Sequence, residues 1–448
     1  MRKHDVRPLV APSTKVPEAV VMTRSLTLAE REWARRISGV LALTLLGRLI
    51  GFVYPVLLLR QLDNAAAGLA FFFVNSAYFV VQPVSGGAAM AMVSPIAAAS
   101  TDDERAQWLR AAANAFVPGI ALASVVAVIA CVTTSAPVLP MLTMVVGLSV
   151  DTMYFQLLTA RHRYTAAASY RLIANVAQLA ALVFVLVLGF RSVTLVVAIF
   201  AFSYVVGFAA VEPGQQALIA LARRVVSATR KQRRRLIKTA IPTAITGLAY
   251  SGITGADTYL VRLTHHDLVA PYGAAKTLAA PFLLVSLALA TIVQPETARA
   301  DGVKAASLRS RIIRLGAGGG AIGIASCWAF SGIAVHLMYG GRYPAAATTL
   351  GWLGTGTTLL GLHTLLQVWC WGRGLYVVPL ISLGTGAVTA IAVNLALVPR
   401  LGAPGGGVAM CLGAAVAMVL ILHLSSKPAL RHAYRPARAI VRLGDRPS

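Results

Sequence analysis

One arginine stands alone in a long apolar stretch near the start of the chain. Arg48 lies within residues 37–59, which hold no other charged residue. About 20 apolar residues suffice to cross a bilayer, and at about 1.5 Å per residue Arg48 would sit near the middle of the hydrocarbon. An arginine at that depth costs about 2.5–3.5 kcal/mol on insertion scales and is usually functional. We therefore expect Arg48 to face away from lipid and to have a functional role.

Other polar side chains recur at helical spacing in four apolar stretches. Polar faces turn away from lipid, so we expect these stretches to line a common cavity, although stripes of Thr, Ser and Gly are also typical of close helix packing. The stripes are Thr44, Arg48, Gly51 and Pro55; Asn75, Tyr78, Gln82 and Ser85; Thr243, Thr246, Tyr250, Thr254 and Asp257; and Tyr272 with Lys276. The predicted substrate-binding residues are Arg48, Asn75, Tyr78, Gln82, Tyr250 and Lys276, with Arg60 and Arg262 nearer the outer rim.

Two acidic residues inside apolar stretches are candidates for ion coupling. Asp257 either pairs with Arg262 or Lys276 or takes up a proton itself, and Asp151 lies in another apolar stretch. Intramembrane carboxylates often belong to proton or cation pathways, so we expect H+ or Na+ coupling and no other cofactor. The four cysteines also fall in apolar segments, which is more typical of small buried hydrophobes than of disulfides or metal ligands.

The composition is that of a polytopic membrane protein. Of the 448 residues, 57% are hydrophobic and only 12% are charged, whereas soluble proteins carry about 25% charged residues. The mean hydropathy is +0.73. Twelve apolar runs of membrane-spanning length predict an all-α fold. They cover residues 37–59, 67–97, 111–131, 138–158, 172–190, 193–211, 239–261, 272–294, 315–335, 346–370, 376–397 and 404–424.

The net charge of +25 is mainly a topology signal. With the N-terminus inside, 33 of the 40 Lys and Arg residues fall on the inner side and 5 in outer loops, which satisfies the positive-inside rule. This distribution disfavours nucleic acid as a partner, favours contact with anionic lipids, and predicts a multi-pass protein of the cell (inner) membrane with cytoplasmic termini. The predicted organisation is a basic arm (1–36), an N-lobe (37–212), a basic linker (213–238), a C-lobe (239–425) and a basic tail (426–448).

The two predicted lobes share a faint parallel repeat. Leu57–Arg60 followed by Asp63 is matched by Tyr259–Arg262 followed by Asp267. Transporters are commonly built from such repeats, with the substrate site at their interface. Enzyme signals are weak: the sequence has no Walker motif, its glycine-rich segment 316–323 opens an apolar run, and the outer loops are short with few acids. We therefore predict a transporter and not an enzyme.

Several loose motifs occur in an order that is fairly specific. They are Gly47–Phe52 with Leu59–Arg60, Ile241–Pro242 with Asp257, Tyr272–Lys276 with Pro295, Met338–Tyr343, and Asn394–Pro399 with Gly402–Gly405. In this order they resemble the multidrug/oligosaccharidyl-lipid/polysaccharide (MOP) exporter superfamily, and specifically its bacterial polysaccharide or O-antigen flippase branch. The resemblance covers residues 37–425.

The resemblance implies two six-helix lobes related by a parallel pseudo-two-fold repeat, with spans 1, 2, 7 and 8 around a central cavity. It also implies a substrate, a polyprenyl-pyrophosphate-linked glycan flipped from the inner to the outer leaflet by alternating access, and polysaccharide-assembly enzymes as candidate partners. A pyrophosphate that crosses hydrocarbon needs fixed cations, and guanidinium binds phosphate bidentately, which would explain Arg48.

Two alternatives lie within the same superfamily. An ion-coupled multidrug or cation antiporter would use buried acids, for which Asp151 and Asp257 are the candidates. A peptidoglycan-precursor flippase is less favoured, because Tyr54–Pro55 stands where those proteins usually carry an Arg-Asp pair. Those proteins also tend to have two additional helices beyond the twelve predicted for this chain.

Overall fold

The computed structural model describes residues 28–82, 87–99, 101–133, 138–210 and 230–426. The chain divides into two compact units, residues 1–39 and 40–448, and residues 28–39 of the first are helical. Most of the predicted arm, most of the predicted linker, the tail and Ser85 lie outside the described residues. The all-α prediction is confirmed, since every regular element in the described ranges is a helix.

Fourteen α-helices and one 3-10 helix (His266–Leu268) follow one another along the described chain. The α-helices are α1 (Leu28–Gln61), α2 (Asn64–Val81), α3 (Gly87–Ala98), α4 (Asp102–Thr133), α5 (Val138–Ala160), α6 (Tyr164–Val187), α7 (Val193–Ala210), α8 (Arg230–Thr264), α9 (Val269–Ala279), α10 (Pro281–Arg299), α11 (Gly302–Tyr339), α12 (Ala346–Gly372), α13 (Val377–Leu401) and α14 (Ala403–Ser426).

In the described chain these helices match the twelve expected spans, because α2 and α3 both fall in the second predicted run, and α9 and α10 together cover the eighth. In the eighth span α9 ends at Ala279 and α10 begins at Pro281. In the described chain ten helices are long and apolar enough to cross a membrane by length and composition alone; the long helices α8 and α12 are not among them.

Five helices begin well before the apolar runs that predicted them. They are α1, α4, α6, α8 and α11, which begin at Leu28, Asp102, Tyr164, Arg230 and Gly302, whereas their runs begin at residues 37, 111, 172, 239 and 315. All five extensions lie at the predicted inner end. The predicted linker is therefore partly helical, because charged residues end an apolar run without ending a helix.

Helices α3 and α8 approach each other closely at a glycine, which has no side chain to keep the two backbones apart. A Cβ atom on Gly87 of α3 would lie 2.6 Å from the Cβ of Ala244 in α8, so only glycine allows this approach. The neighbouring Thr243 hydroxyl donates to the Gly87 carbonyl at 2.9 Å. These contacts join the N-lobe to the C-lobe near the predicted inner end.

The α11–α12 loop joins the lobes at the opposite, predicted outer end. Arg342 donates to Asn64 Oδ1 at 2.7 Å and to the carbonyls of Leu59 and Arg60, both at 3.1 Å. The Tyr343 hydroxyl donates to the Leu59 carbonyl at 3.0 Å. The loop thus caps the last turn of α1, whose carbonyls have no partner within their own helix. It belongs to the Met338–Tyr343 motif.

We predict that Arg342→Ala loosens this outer contact, because the lost guanidinium supplied several charge-assisted hydrogen bonds. Spin labels at Ala65→Cys and Ala345→Cys, both exposed positions on either side of the contact, should show a larger population at long distance. Arg60→Ala is the matched control, since only the Arg60 carbonyl takes part in the contact. An unchanged distance distribution in Arg342→Ala would show that the loop does not hold this end closed.

Candidate functional site

A cavity of about 570 Å³ lies between the two lobes. The six residues predicted to bind substrate within the membrane all line it: Arg48, Asn75, Tyr78, Gln82, Tyr250 and Lys276. Arg60 and Arg262 do not line it. Arg60 is exposed at the end of α1, and the Arg262 guanidinium lies over the Phe72 ring, 4.3 Å from its centroid. Asp151 lines the cavity, whereas Asp257 is completely buried behind its wall.

The cavity wall includes more helices than the four predicted. α5, α6 and α7 add polar residues on the N-lobe side, and α12 adds a polar stripe on the C-lobe side. These additional polar residues are Asp151, Thr152, Gln156, Thr159, Arg171, Asn175, Gln178, Tyr204, Thr357, Thr364, Gln367 and Trp371.

An ion pair lies in the N-lobe wall. Arg171 of α6 donates to Asp151 Oδ2 of α5 at 3.0 Å, and its guanidinium covers the Phe155 ring at 3.9 Å from the centroid. Nearby, the hydroxyls of Tyr78 and Tyr204 lie 3.2 Å apart. The pair neutralises Asp151, so this carboxylate is not free to bind a cation by itself.

Arg48 is the unpaired cation of the same wall. No hydrogen bond or salt bridge joins its side chain to another of the described residues, and its Nε atom is buried without a partner. The charges of Arg171 and Asp151 are both close enough to act on it. The position of Arg48 is set by α1, which packs closely on α6 at the neighbouring Gly47. There Asn175 Nδ2 of α6 donates a hydrogen bond to the Gly47 carbonyl at 2.7 Å. Two arginines and one carboxylate leave this wall with a net positive charge.

The unpartnered polar atoms of the residues that line the cavity are mostly donors. Among the described residues, the buried nitrogen atoms without a hydrogen-bond partner include Arg48 Nε, Asn75 Nδ2, Arg171 Nε, Gln178 Nε2 and Trp371 Nε1, all of them on cavity-lining side chains. The corresponding unpartnered acceptors on lining residues are Asp151 Oδ1 and Gln367 Oε1. Buried donors without partners are unfavourable, and here they outnumber the unpartnered acceptors beside a wall that already has a net positive charge.

The C-lobe wall contains a second ion pair, between α8 and α9. Lys276 Nζ donates to Asp257 Oδ1 and to the Thr258 hydroxyl, each at 2.9 Å, and also to the Thr254 carbonyl. Asp257 also accepts from the Tyr272 hydroxyl. Of the alternatives that the sequence left open, Asp257 therefore pairs with Lys276 and not with Arg262.

Sequence analysis missed most of the additional polar residues that line the cavity, and also the buried His363. Arg171 lies one residue before a predicted apolar run and was counted among the basic residues of the inner side, yet its side chain reaches the cavity. His363 of α12 is fully buried, with its Nε2 atom 2.9 Å from the Ser382 hydroxyl of α13. Because His363 is a single polar residue in an apolar run, no helical spacing with other polar residues indicated its buried position. All four cysteines are buried and free.

The fold is that of known transporters. A multidrug resistance MATE family transporter of the MOP superfamily, in an inward-facing conformation, superposes with a TM-score of 0.64 at 14% identity, over 88% of this chain and 96% of that one. The Vibrio cholerae MATE transporter VcmN in its bent form gives 0.62 at 15% identity, over 90% and 98% of the two chains.

A MOP superfamily transporter from Pyrococcus furiosus gives 0.61 at 14% identity, over 88% and 96% of the two chains. That protein is described as having a binding pocket of reverse polarity, which suggests a different function. No protein-family model and no curated protein matches the chain. The MOP superfamily fold implied by the resemblance, with twelve spans in two lobes, is confirmed, whereas these structures do not single out the flippase branch.

We predict opposite effects of two arginine substitutions on stability. Arg48→Ala removes an unpaired buried cation, so Tm in detergent should hold or rise. Arg171→Ala leaves Asp151 buried without its partner, which should destabilise the protein by about 3–5 kcal/mol. Thermal unfolding of both variants checks this. A clear loss of stability in Arg48→Ala would reveal a structural role for that arginine.

Proposed function

We propose that this protein is a membrane transporter that moves an anionic, amphipathic substrate by alternating access. The observation that carries the proposal is the N-lobe wall, where Arg48 lines the cavity without a partner and Arg171 already neutralises Asp151. Guanidinium binds phosphate in a two-pronged geometry. A cationic substrate would instead have to approach a wall with net positive charge.

The rest of the cavity suits an apolar part of the same substrate. Its apolar lining includes Phe71, Phe79, Leu283, Leu284 and Leu287. Cavities of about 300–1,000 Å³ are typical of sites for small-molecule ligands or head groups. We infer that a head group with a few sugar units binds here while its lipid tail stays in the bilayer. The specific substrate that we propose is a polyprenyl-pyrophosphate-linked glycan.

Alternating access is supported by the contacts between the lobes. The lobes meet near Gly87 and Thr243 at the predicted inner end, and through Arg342 at the predicted outer end. If one lobe rocks against its neighbour, the contacts at one end of the cavity would break while those at the opposite end would remain.

The second candidate is an ion-coupled multidrug or cation antiporter. The name of one similar protein favours it over the flippase, since that protein is a multidrug resistance transporter. The charges in this cavity favour it less, because Asp151 and Asp257 are each already paired with a cation. The Pyrococcus furiosus transporter is a precedent for a pocket of different polarity on this fold.

The two candidates predict different transport in proteoliposomes. We expect a fluorescent polyprenyl-pyrophosphate sugar to change leaflet, measured by quenching from one side, and cationic dyes not to be transported. Arg48→Ala should abolish most of this flipping, and Arg48→Lys should retain part of it, because an ammonium keeps the charge but not the bidentate geometry.

Arg60→Ala is the control, since Arg60 does not line the cavity. Dye transport without lipid flipping would favour the antiporter. Wild-type flipping by Arg48→Ala would remove the assigned role of this arginine.

A further inference from the structure

The turn between α5 and α6, at the predicted inner end, contains a left-handed residue that is not glycine. Helix α5 ends in a Schellman motif: the Arg163 N–H donates to the Leu158 carbonyl at 2.9 Å, and the His162 N–H donates to the Thr159 carbonyl at 3.0 Å. This motif places one residue in the left-handed conformation, for which glycine is the usual choice. Here that residue is His162, with a φ of 57°.

The chain uses glycine at other turns of this kind. Gly189 after α6 and Gly374 after α12 have φ values of 78° and 76°, and each turn closes the same pair of hydrogen bonds. Gly374 also has the place in the C-lobe that His162 has in the N-lobe, since α5 and α12 are each the fourth span of their lobe. Among the described residues, His162 is the only non-glycine residue with a positive φ. Such a conformation is unfavourable for a side chain, so the imidazole is expected to have a function here.

The His162 side chain lies where the two lobes meet. Its Nδ1 atom is 2.6 Å from the Tyr164 hydroxyl, and the two rings meet edge to face. From the C-lobe, Arg299 of α10 donates to the Ala97 carbonyl in the last turn of α3 at 3.2 Å. The Arg299 charge acts on both His162 and Tyr164. A hydrogen bond between the lobes therefore lies directly beside the imidazole.

The charges around His162 are unfavourable for a further positive charge. Arg299 of α10 and Arg105 of α4 both act on the ring. Asp102 of α4 already binds Arg105 at 2.7 Å. The other charged or titratable side chains described on the turn and on the elements around it are Arg161, Arg163 and Tyr164 next to His162, Asp103 and Glu104 on α4, Glu296 on α10, and Arg234 and Lys238 on α8, while α3 has none.

These surroundings favour the neutral imidazole while the lobes are in contact. Burial, and then the charges of Arg299 and Arg105, hold the pKa of His162 below its ordinary value of 6.5. The Ala97 carbonyl acts in the opposite direction, but it already accepts a hydrogen bond from Arg299. When the contact opens, water reaches the ring and the Arg299 charge moves away, so the open form binds a proton more readily. By linkage, a fall in pH then favours the open form.

We propose that His162 is a proton-sensitive part of the inner contact between the lobes. The contact is closed while the imidazole is neutral, and protonation opens it by adding a positive charge beside Arg299. Acidification on the inner side therefore shifts the protein toward opening at that side. This role does not depend on the substrate, and it requires no proton to cross the membrane.

Distance measurements across the inner contact test this role. Spin labels at Thr165→Cys in the N-lobe and Ser307→Cys in the C-lobe, both exposed positions near this end, report its opening. The ratio of open to closed molecules should rise several-fold when the pH falls from about 8 to about 5.5, a range that spans the ordinary pKa of histidine. A ratio that stays constant over this range overturns the proposal.

Two variants assign the response to a residue. His162→Asn removes the titrating group, and asparagine tolerates a left-handed backbone, so the ratio in this variant should not change with pH. His423→Gln is the matched control, because His423 is an exposed histidine at the same predicted end of the bundle and should leave the response intact. A full response in His162→Asn, or its loss in His423→Gln, would assign the response to another group and overturn the role of His162.

Folding failure does not end the test. If His162→Asn does not fold, His162→Gly takes its place, since glycine is favoured at this φ, and the same constant ratio is expected. If neither variant folds, Arg299→Ala is tested with His162 intact. Its pH response should be smaller than that of wild type, because the charge that opposes protonation in the closed form is gone. An undiminished response in Arg299→Ala overturns the proposal.

Discussion

The structure depends on how buried charges are neutralised inside a membrane bundle. A charge in a low-dielectric wall is costly unless it is paired, and removing one partner of a buried pair is worse than removing both. Each lobe follows this rule with one pair on neighbouring helices, Asp151 with Arg171 and Asp257 with Lys276. Arg48 is the exception in the cavity wall, because it has no partner among the described residues. The unbalanced positive charge of the cavity comes from this one residue.

The two walls therefore differ in what they can do. The N-lobe wall presents fixed donors whose positions are set by α1, α5 and α6, and it suits recognition of an acceptor-rich group. The C-lobe wall presents an ammonium that is already fully coordinated, so it must exchange partners before it can act on a ligand. The N-lobe wall can thus hold a ligand with groups that do not move, while Lys276 in the C-lobe wall must change partners to reach it. A ligand that binds better when Lys276 has changed partners would favour one relative position of the two lobes over another.

The apolar runs predicted the fold because membrane spans need about 20 apolar residues, and this is a strong signal. The same signal explains the errors. Arg171 lies in the helical extension that precedes an apolar run, so its position relative to the membrane could not be read from hydropathy. The polar stripe of α12, including Thr357, Thr364 and Gln367, was not recognised as cavity-lining. The choice of Lys276 over Arg262 as the partner of Asp257 depends on how α9 packs on α8, which no local pattern encodes.

The polarity of α8 and α12 has a consequence for biosynthesis. These helices contribute much of the C-lobe wall, and among the described residues they are the two long helices that do not qualify as membrane spans on length and composition alone. A nascent chain partitions into lipid according to its own apolar content unless spans already in the bilayer offer polar partners. α8 leaves the ribosome after the six spans of the N-lobe, and α12 after α9, α10 and α11. The C-lobe expressed alone would deliver α8 to the bilayer without these neighbours, so the order of the two lobes in the chain is itself part of how the cavity is assembled.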